Sequence, residues 1–315
     1  MDSTEIIVIT GPTATGKTSL ALLLAEHIDA EIVSADSMLV YRHMDIGTAK
    51  PTLSQRQSVP HHMIDIVPPW EDYSAARYIE DARRCIDDII SRQKLPIIVG
   101  GTGLYIDSLI SGRSFSSRAD MELRSQLEKE YDEIGGESML NGLGEFDPTR
   151  AQKLHPNDKK RIVRAYEAYL SSGKTISQHD RETSALPPLY NTKKYALTYS
   201  DRAVLYDRID KRVDLMLEMG LISEVRKLIA MGIPRDCTAM QGIGYKELLP
   251  VILHEGDLHI AIDKIKMESR RYGKRQLTWL RRDESVIWLN RDDAAPYSDD
   301  DLESIAETIM NQSRV

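Results

Sequence analysis

The stretch EIIVITGPTATGKTSLALLLAEHI, residues 5–28, constrains this chain more than any other. An apolar run at 5–10 feeds GPTATGKT, and the residues after it read as a helix. This is the GxxxxGK[ST] pattern in the strand–loop–helix setting that gives it meaning. Gly11 and Gly16 let the backbone curl until its N–H groups converge on phosphate oxygens. Pro12, Thr13, Ala14 and Thr15 complete the cradle, and the helix adds its positive N-terminal end. Lys17 supplies a point charge, and Thr18 offers a hydroxyl to Mg²⁺. A bare glycine turn before a helix would not need the Lys-Thr pair. The pattern, shared with ATP-binding proteins, specifies a phosphate chain with Mg²⁺ without saying which phosphate compound.

Further along, EIVSAD (31–36), LPIIVGG (95–101), YALTY (195–199) and VIWLN (286–290) are short apolar runs of buried-strand type. Helical patterns lie between them. Ala75, Ile79, Ala82, Ile86 and Ile89 share one face. Residues 201–220 and 221–232 each end in a glycine, 258–282 is a long basic helix, and 299–312 closes the chain. Strands alternating with helices predict βαβ units and a parallel sheet. From Arg118 to about Leu186 the strand patterns stop. There 119–134 and 157–174 read as helices, the second capped by Asn157 and closed at Gly173. Pro187 and Pro188 mark the exit. The expected fold is α/β: a P-loop NTPase-like core with five parallel strands, residues 1–117 and 191–315, and an all-helical insertion, residues 118–190.

Composition narrows the class. Hydrophobic residues are 41% and charged residues 29%, a balance that supports a packed core and excludes disorder as the main state. No apolar run reaches the ~18 residues of a membrane span, and the first residues lack a basic leader, so neither a span nor a secretory signal is expected. Cys85 and Cys237 stand far apart with no CxxC partner. That excludes a disulfide scaffold and a zinc ribbon and fits a reduced, cytoplasmic setting. The net charge of −8 hides an asymmetry: residues 264–282 hold eight Lys/Arg against one Glu, while the tail from Asp292 is acidic.

Other candidates follow from position. Asp36 ends the second strand, on the sheet edge where doubly wound folds bind ligands. A carboxylate there can take a proton from a substrate, or it can cap the turn after the strand; the residues leave both open. Gly100 and Gly101 permit close backbone approach, and Thr102 can bond a substrate or close a tight turn. Arg208 and Arg212 fall four apart on one helix face and can clamp a phosphate chain or sit solvated beside Asp207 or Asp210. Lys266, Arg270 and Lys274 recur at helical spacing and suit an RNA backbone. Trp279 is a stacking platform or core. His61 and His62 are adjacent, not at metal-ligand spacing.

Taken together, GPTATGKT, DSMLVYRHMDIGTAKP, VGGTGLY and KRQLTWLRR, with LHPNDKKRIVRAYEAYLSSGK and GIGYKEL, resemble the bacterial tRNA dimethylallyltransferases over about residues 5–290. The resemblance implies transfer of dimethylallyl from dimethylallyl diphosphate, with Mg²⁺, to the exocyclic amine of the adenosine 3′ of the anticodon. The phosphate loop, Arg208 and Arg212 would then hold diphosphate rather than ATP, with Lys17 stabilising the leaving charge. Asp36 would deprotonate the amine, Thr102 would hold the base, and Ser37, Met38 and Leu39 would continue the adenosine contact. Gln241, Gly242, Ile243, Gly244, Tyr245 and Lys246 match a tRNA-contacting segment, as do Lys274, Arg275, Gln276 and Arg281. On the insertion, which would grip the anticodon stem, Lys160, Arg161 and Arg164 form a basic cluster, with Arg124 on the preceding helix. A monomer is expected. The rivals are an isopentenyltransferase acting on free adenine nucleotides, a small-molecule or nucleotide kinase, and an RNA-binding nucleotide switch. The basic helix and the insertion favour tRNA, because a free nucleotide needs neither.

Overall fold

The structure is a computed structural model and describes residues 5–112, 120–184, 187–292 and 299–313. The chain divides into two compact units, Met1–Ile110 with Tyr190–Val315, and Ser111–Leu189. The boundary expected at 117/118 and the exit at Leu186 lie outside the described residues.

The larger unit is built on one parallel sheet. Its strands are β1 (Glu5–Thr10), β2 (Ala30–Ser34), β3 (His61–His62), β4 (Leu95–Val99), β5 (Asn191–Thr198) and β6 (Val286–Asn290), in the order β3-β2-β4-β1-β5-β6. The five expected strands are present. The sixth, β3, has two residues, too short for any periodicity to announce. Strands β1, β2 and β4 are apolar almost throughout because helices cover both faces of the sheet, as parallel sheets require. On one face Ile7, Ile9, Ile32, Ile97 and Tyr195 pack against Leu20 and Leu24 of helix Lys17–His27, and against Leu302, Ala306 and Ile309 of the C-terminal helix Leu302–Gln312. Helix Ala75–Ser91 buries Ile79, Ala82, Ile86 and Ile89 of the expected face, with Tyr78 in addition, while Ala75 at the first turn stays partly exposed.

Register decides where the ligand edge lies. Ser34 of β2 stands beside Val99 of β4, and Val99 beside Ile9 of β1. The three strands therefore stop level, and the segments that follow them leave the sheet at one edge. They approach so closely that a Cβ on Gly100 would collide with the Ala35 carbonyl.

The smaller unit is all helical among its described residues, with helices Met121–Ile134, Gly136–Phe146, Pro148–Ala151, Lys159–Ser172 and Ile176–Ser184. Leu127, Met139, Ile162 and Val163 form its core. The second long helix is preceded by Asp158 at the cap position, not Asn157, and ends at Gly173 with φ 69°. Among the described residues no helix is long and apolar enough to cross a membrane.

Gly100→Ala tests the level strand ends. A methyl forced against backbone costs on the order of 1–3 kcal/mol. The urea midpoint should fall with the m-value unchanged; an unmoved midpoint would show that the two strand ends can separate freely.

Candidate functional site

The phosphate loop takes the shape its glycines allow. Gly11 (φ 133°) lies against β5, where a side chain would strike the Leu197 carbonyl, and Gly16 has φ 82°. Ala14 also sits at positive φ, 65°. The loop is held on several sides. Gln276 accepts from the Thr13 N–H at 2.9 Å through Oε1, and its Nε2 donates to the Gly101 carbonyl at 3.0 Å. The Thr15 hydroxyl donates to the Pro12 carbonyl at 2.9 Å.

The loop opens onto a cavity of about 470 Å³. Thr13–Thr18 form one wall, and Asp36–Leu39, Gly100 and Gly101 another. Arg212 reaches in from helix Arg202–Glu218, and Tyr272, Arg275 and Gln276 from helix Leu258–Leu280. Gln241–Lys246 lie at the same cavity. Ile209, Val213, Met216 and Ile265 give it an apolar side. It thus combines a phosphate cradle, a carboxylate and apolar wall.

Its electrostatics suit an anion. Lys17 donates to the Pro12 carbonyl at 2.6 Å. Burial, then the neighbouring Arg212 charge, pulls its pKa down to about 7, against an opposing pull from Asp36. Arg212 carries a buried Nε that has no hydrogen-bond partner among the described residues. A buried donor of this kind costs stability unless something accepts from it, and an anionic oxygen in the cavity would do so. The Thr18 hydroxyl, a hard oxygen donor, lines the cavity with no protein partner among the described residues. No group of three His, Cys, Asp or Glu able to hold a metal occurs among the described residues. A Mg²⁺ here would take one ligand from Thr18 and most of the rest from substrate oxygens and water, which is how Mg²⁺ is usually bound.

Asp36 closes the turn after its strand, its Oδ1 accepting from the Met38 N–H at 2.8 Å, and also lines the cavity. Thr102 is off the cavity wall. Its hydroxyl accepts from the Ser37 N–H at 3.2 Å, so it shapes the turn that carries Asp36. Tyr272, absent from the expected set, lies against Thr102 and Gln276; burial pushes its hydroxyl well above the ordinary range and keeps it a donor. Its signal was helical spacing. Ile265, Ser269, Tyr272 and Gln276 form the face of the basic helix that lines the cavity.

Other expectations need correction. Arg208 does not join Arg212 in the cavity: its Nε donates to the Ala14 carbonyl at 3.1 Å from the loop's outer side. Lys266 pairs with Asp214 at 2.6 Å and Arg270 with Asp210, so two thirds of the supposed RNA stripe are committed to the neighbouring helix. Gln276 is buried, braces the loop and lines the cavity. Tyr245 is buried, and its hydroxyl donates to Glu224 at 2.7 Å. The same carboxylate accepts from the N–H groups of Asp45, Ile46 and Gly47, fixing a loop of the cavity wall. In the smaller unit Arg124 and Arg164 both pair with fully buried Glu167. Burial pushes that carboxyl up, but their hydrogen bonds outweigh it and hold it below its ordinary value. Lys160, Arg161, Gln241, Lys246, Lys274, Arg275 and Arg281 are exposed. Trp279 donates to Asp107 at 2.6 Å and keeps 38% of its surface exposed.

An anion bound beside Lys17 should restore its charge, because the protonated form binds the anion better. Inorganic diphosphate binding near pH 8 should therefore take up a proton, with affinity falling as pH rises above about 7. Calorimetry in two buffers of different ionisation enthalpy reads the uptake, and Lys17→Met should abolish it. Equal uptake by both proteins would contradict the assignment.

The sequence profile of the family described as IPP transferase matches residues 39–283, and that of isopentenyl transferase matches residues 4–65. A tRNA dimethylallyltransferase of Acetivibrio thermocellus is 50% identical over 290 residues, 92% of each chain. One of Carboxydothermus hydrogenoformans is 45% identical over 314 residues, 99% of this chain and 98% of its own. Among solved structures, a tRNA isopentenylpyrophosphate transferase of Bacillus halodurans has a TM-score of 0.71 at 40% identity, covering 98% of this chain and 97% of that one. A eukaryotic dimethylallyltransferase acting on tRNA has a TM-score of 0.82 at 31% identity, covering 98% and 78%. At this level of identity and coverage the chain belongs to the tRNA dimethylallyltransferase (IPP transferase) family.

Proposed function

We propose that this protein transfers the dimethylallyl group from dimethylallyl diphosphate to the exocyclic amine of the adenosine 3′ of the anticodon in tRNA. The observation that carries the reading is one cavity lined by the phosphate loop, Arg212 and Asp36 beside apolar wall. A diphosphate ester with a short branched hydrocarbon needs all of these, and an amine nucleophile needs the carboxylate.

The allylic carbon–oxygen bond breaks as the amine nitrogen bonds the same carbon. Negative charge develops on the departing diphosphate. The loop N–H groups, Lys17 and Arg212 face that charge and stabilise it as it grows. Mg²⁺, held by Thr18 and diphosphate oxygens, would neutralise part of the same charge. The amine proton goes to Asp36, whose Oδ1 is fixed by Met38 N–H and whose second oxygen remains for the substrate. Thr102 keeps the turn in place through Ser37. Tyr272 supplies a protonated hydroxyl at the same end of the cavity.

The acceptor must unstack from its loop to enter such a cavity. Exposed Lys274 and Arg281 on the core, with Lys160 and Arg161 on the insertion, would hold the RNA backbone while the base is extruded. An enzyme for free adenine nucleotides would have no use for these cations. A nucleotide switch has no use for Asp36 as a base, and a kinase has no use for an apolar wall beside its phosphate cradle.

Asp36→Asn should lower the single-turnover transfer rate about 10²–10⁴-fold and shift the tRNA Kd by less than about threefold. Comparable losses in both would make Asp36 a binding residue. Joint substitution Lys274→Ala and Arg281→Ala should flatten the salt dependence of tRNA binding by about 0.7–0.9 in log–log slope per lost contact; an unaltered slope would move the RNA surface elsewhere.

A further inference from the structure

Arg291 is the largest fully buried side chain among the described residues, 1% exposed, and the family profile stops short of it at residue 283. It follows β6. Its Nε donates to Asp301 at 2.8 Å, and its second terminal nitrogen bonds Asp301 and Asp299. Its first terminal nitrogen donates to the carbonyl of Thr15, inside the phosphate loop, at 3.0 Å. The guanidinium also approaches the Tyr199 ring at 6.0 Å, the ring that Arg208 approaches at 5.4 Å. Arg208 in turn donates to the Ala14 carbonyl, one residue earlier, and lies 3.7 Å from Asp299. Buried Arg291 and partly buried Arg208, joined by Asp299 and Tyr199, thus grip two successive carbonyls of the loop.

The consequence follows from peptide geometry. In a trans peptide the C=O and the N–H point in opposite directions. Holding the Ala14 carbonyl on the outer side turns the Thr15 N–H inward, and holding the Thr15 carbonyl turns the Gly16 N–H inward. Thr15 and Gly16 line the cavity; Arg291 does not. The arginine also explains why position 16 is glycine beyond its φ: a Cβ there would come within 2.5 Å of the Arg291 guanidinium. The side chain it excludes and the carbonyl it holds are one residue apart.

We propose that Arg291 is a positioning residue for diphosphate binding. It aims the Thr15–Gly16 peptide at the leaving group from outside the cavity, and the Asp301 carboxylate and the start of the C-terminal helix fix its own orientation. This rests on the diphosphate reading of the loop. The residue touches neither substrate, so its effect travels through the backbone.

The test is calorimetric binding of inorganic diphosphate with Mg²⁺, beside binding of an anticodon stem-loop RNA and thermal unfolding. The variants are Arg291→Lys, Arg208→Lys and the double variant. Arg291→Lys keeps the charge but loses the fork that spans Asp301 and Thr15. Its diphosphate Kd should rise about tenfold while the RNA Kd changes less than twofold. The double variant should lose less than the product of the single losses, because both residues aim the same loop. If Arg291→Lys does not fold, Asp301→Asn, which loosens the arginine without removing it, must show the same split. Unchanged diphosphate affinity in a folded variant, or equal losses toward diphosphate and RNA, would overturn the proposal. Failure of the unaltered protein to bind diphosphate would overturn the reading beneath it as well.

Discussion

A loop that converges its N–H groups on one anion must dispose of its carbonyls elsewhere, because each buried carbonyl needs a donor. That constraint organises the larger unit. Lys17 and the Thr15 hydroxyl take the Pro12 carbonyl, Arg208 takes that of Ala14, and Arg291 takes that of Thr15. These donors come from the loop itself and the helix it opens, from helix Arg202–Glu218 and from the segment after β6. Gln276, from the basic helix, fixes the Thr13 N–H and ties the loop to Gly101. Segments separated by more than 250 residues in sequence therefore meet around eight residues of loop.

The level ends of β1, β2 and β4 place the chemistry around that loop. Because Ser34, Val99 and Ile9 stand side by side, the residues just beyond them emerge together. The phosphate cradle, Asp36 and the glycines after β4 come to one cavity by strand register alone. Helix Leu258–Leu280 then closes it with Tyr272 and Gln276. Apolar residues of two helices supply the wall for a hydrocarbon. Cradle and carboxylate sit on a rigid sheet edge, where proximity can be maintained between two bound substrates.

Sequence made the loop, five strands and the helical insertion legible because each has a strong local signature: glycine spacing, apolar runs, helical periodicity. Asp36 was legible as a position, since strand ends on a ligand edge carry chemistry. Partnership was not legible. Arg124, Lys266 and Arg270 look like RNA-binding cations in sequence, yet each faces a carboxylate that folding brings to it, and Glu167 is 47 residues from Asp120 and 43 from Arg124, although only three from Arg164 on the same helix. Arg208 looked like a clamp because its spacing from Arg212 is helical. Four residues make just over one turn, and that small rotation, together with the Ala14 carbonyl, puts it behind the loop instead. Arg291 and Glu224 had no local pattern at all, because their roles exist only once distant backbone groups are assembled.

One cavity would join a diphosphate ester to an amine carried by tRNA. The direct measurement is transfer of radiolabelled dimethylallyl diphosphate to unmodified tRNA with Mg²⁺, with AMP and ATP as alternative acceptors in parallel. Label should appear in tRNA alone, with inorganic diphosphate released in equal amount. Label in a free nucleotide, or label in neither acceptor, would contradict it.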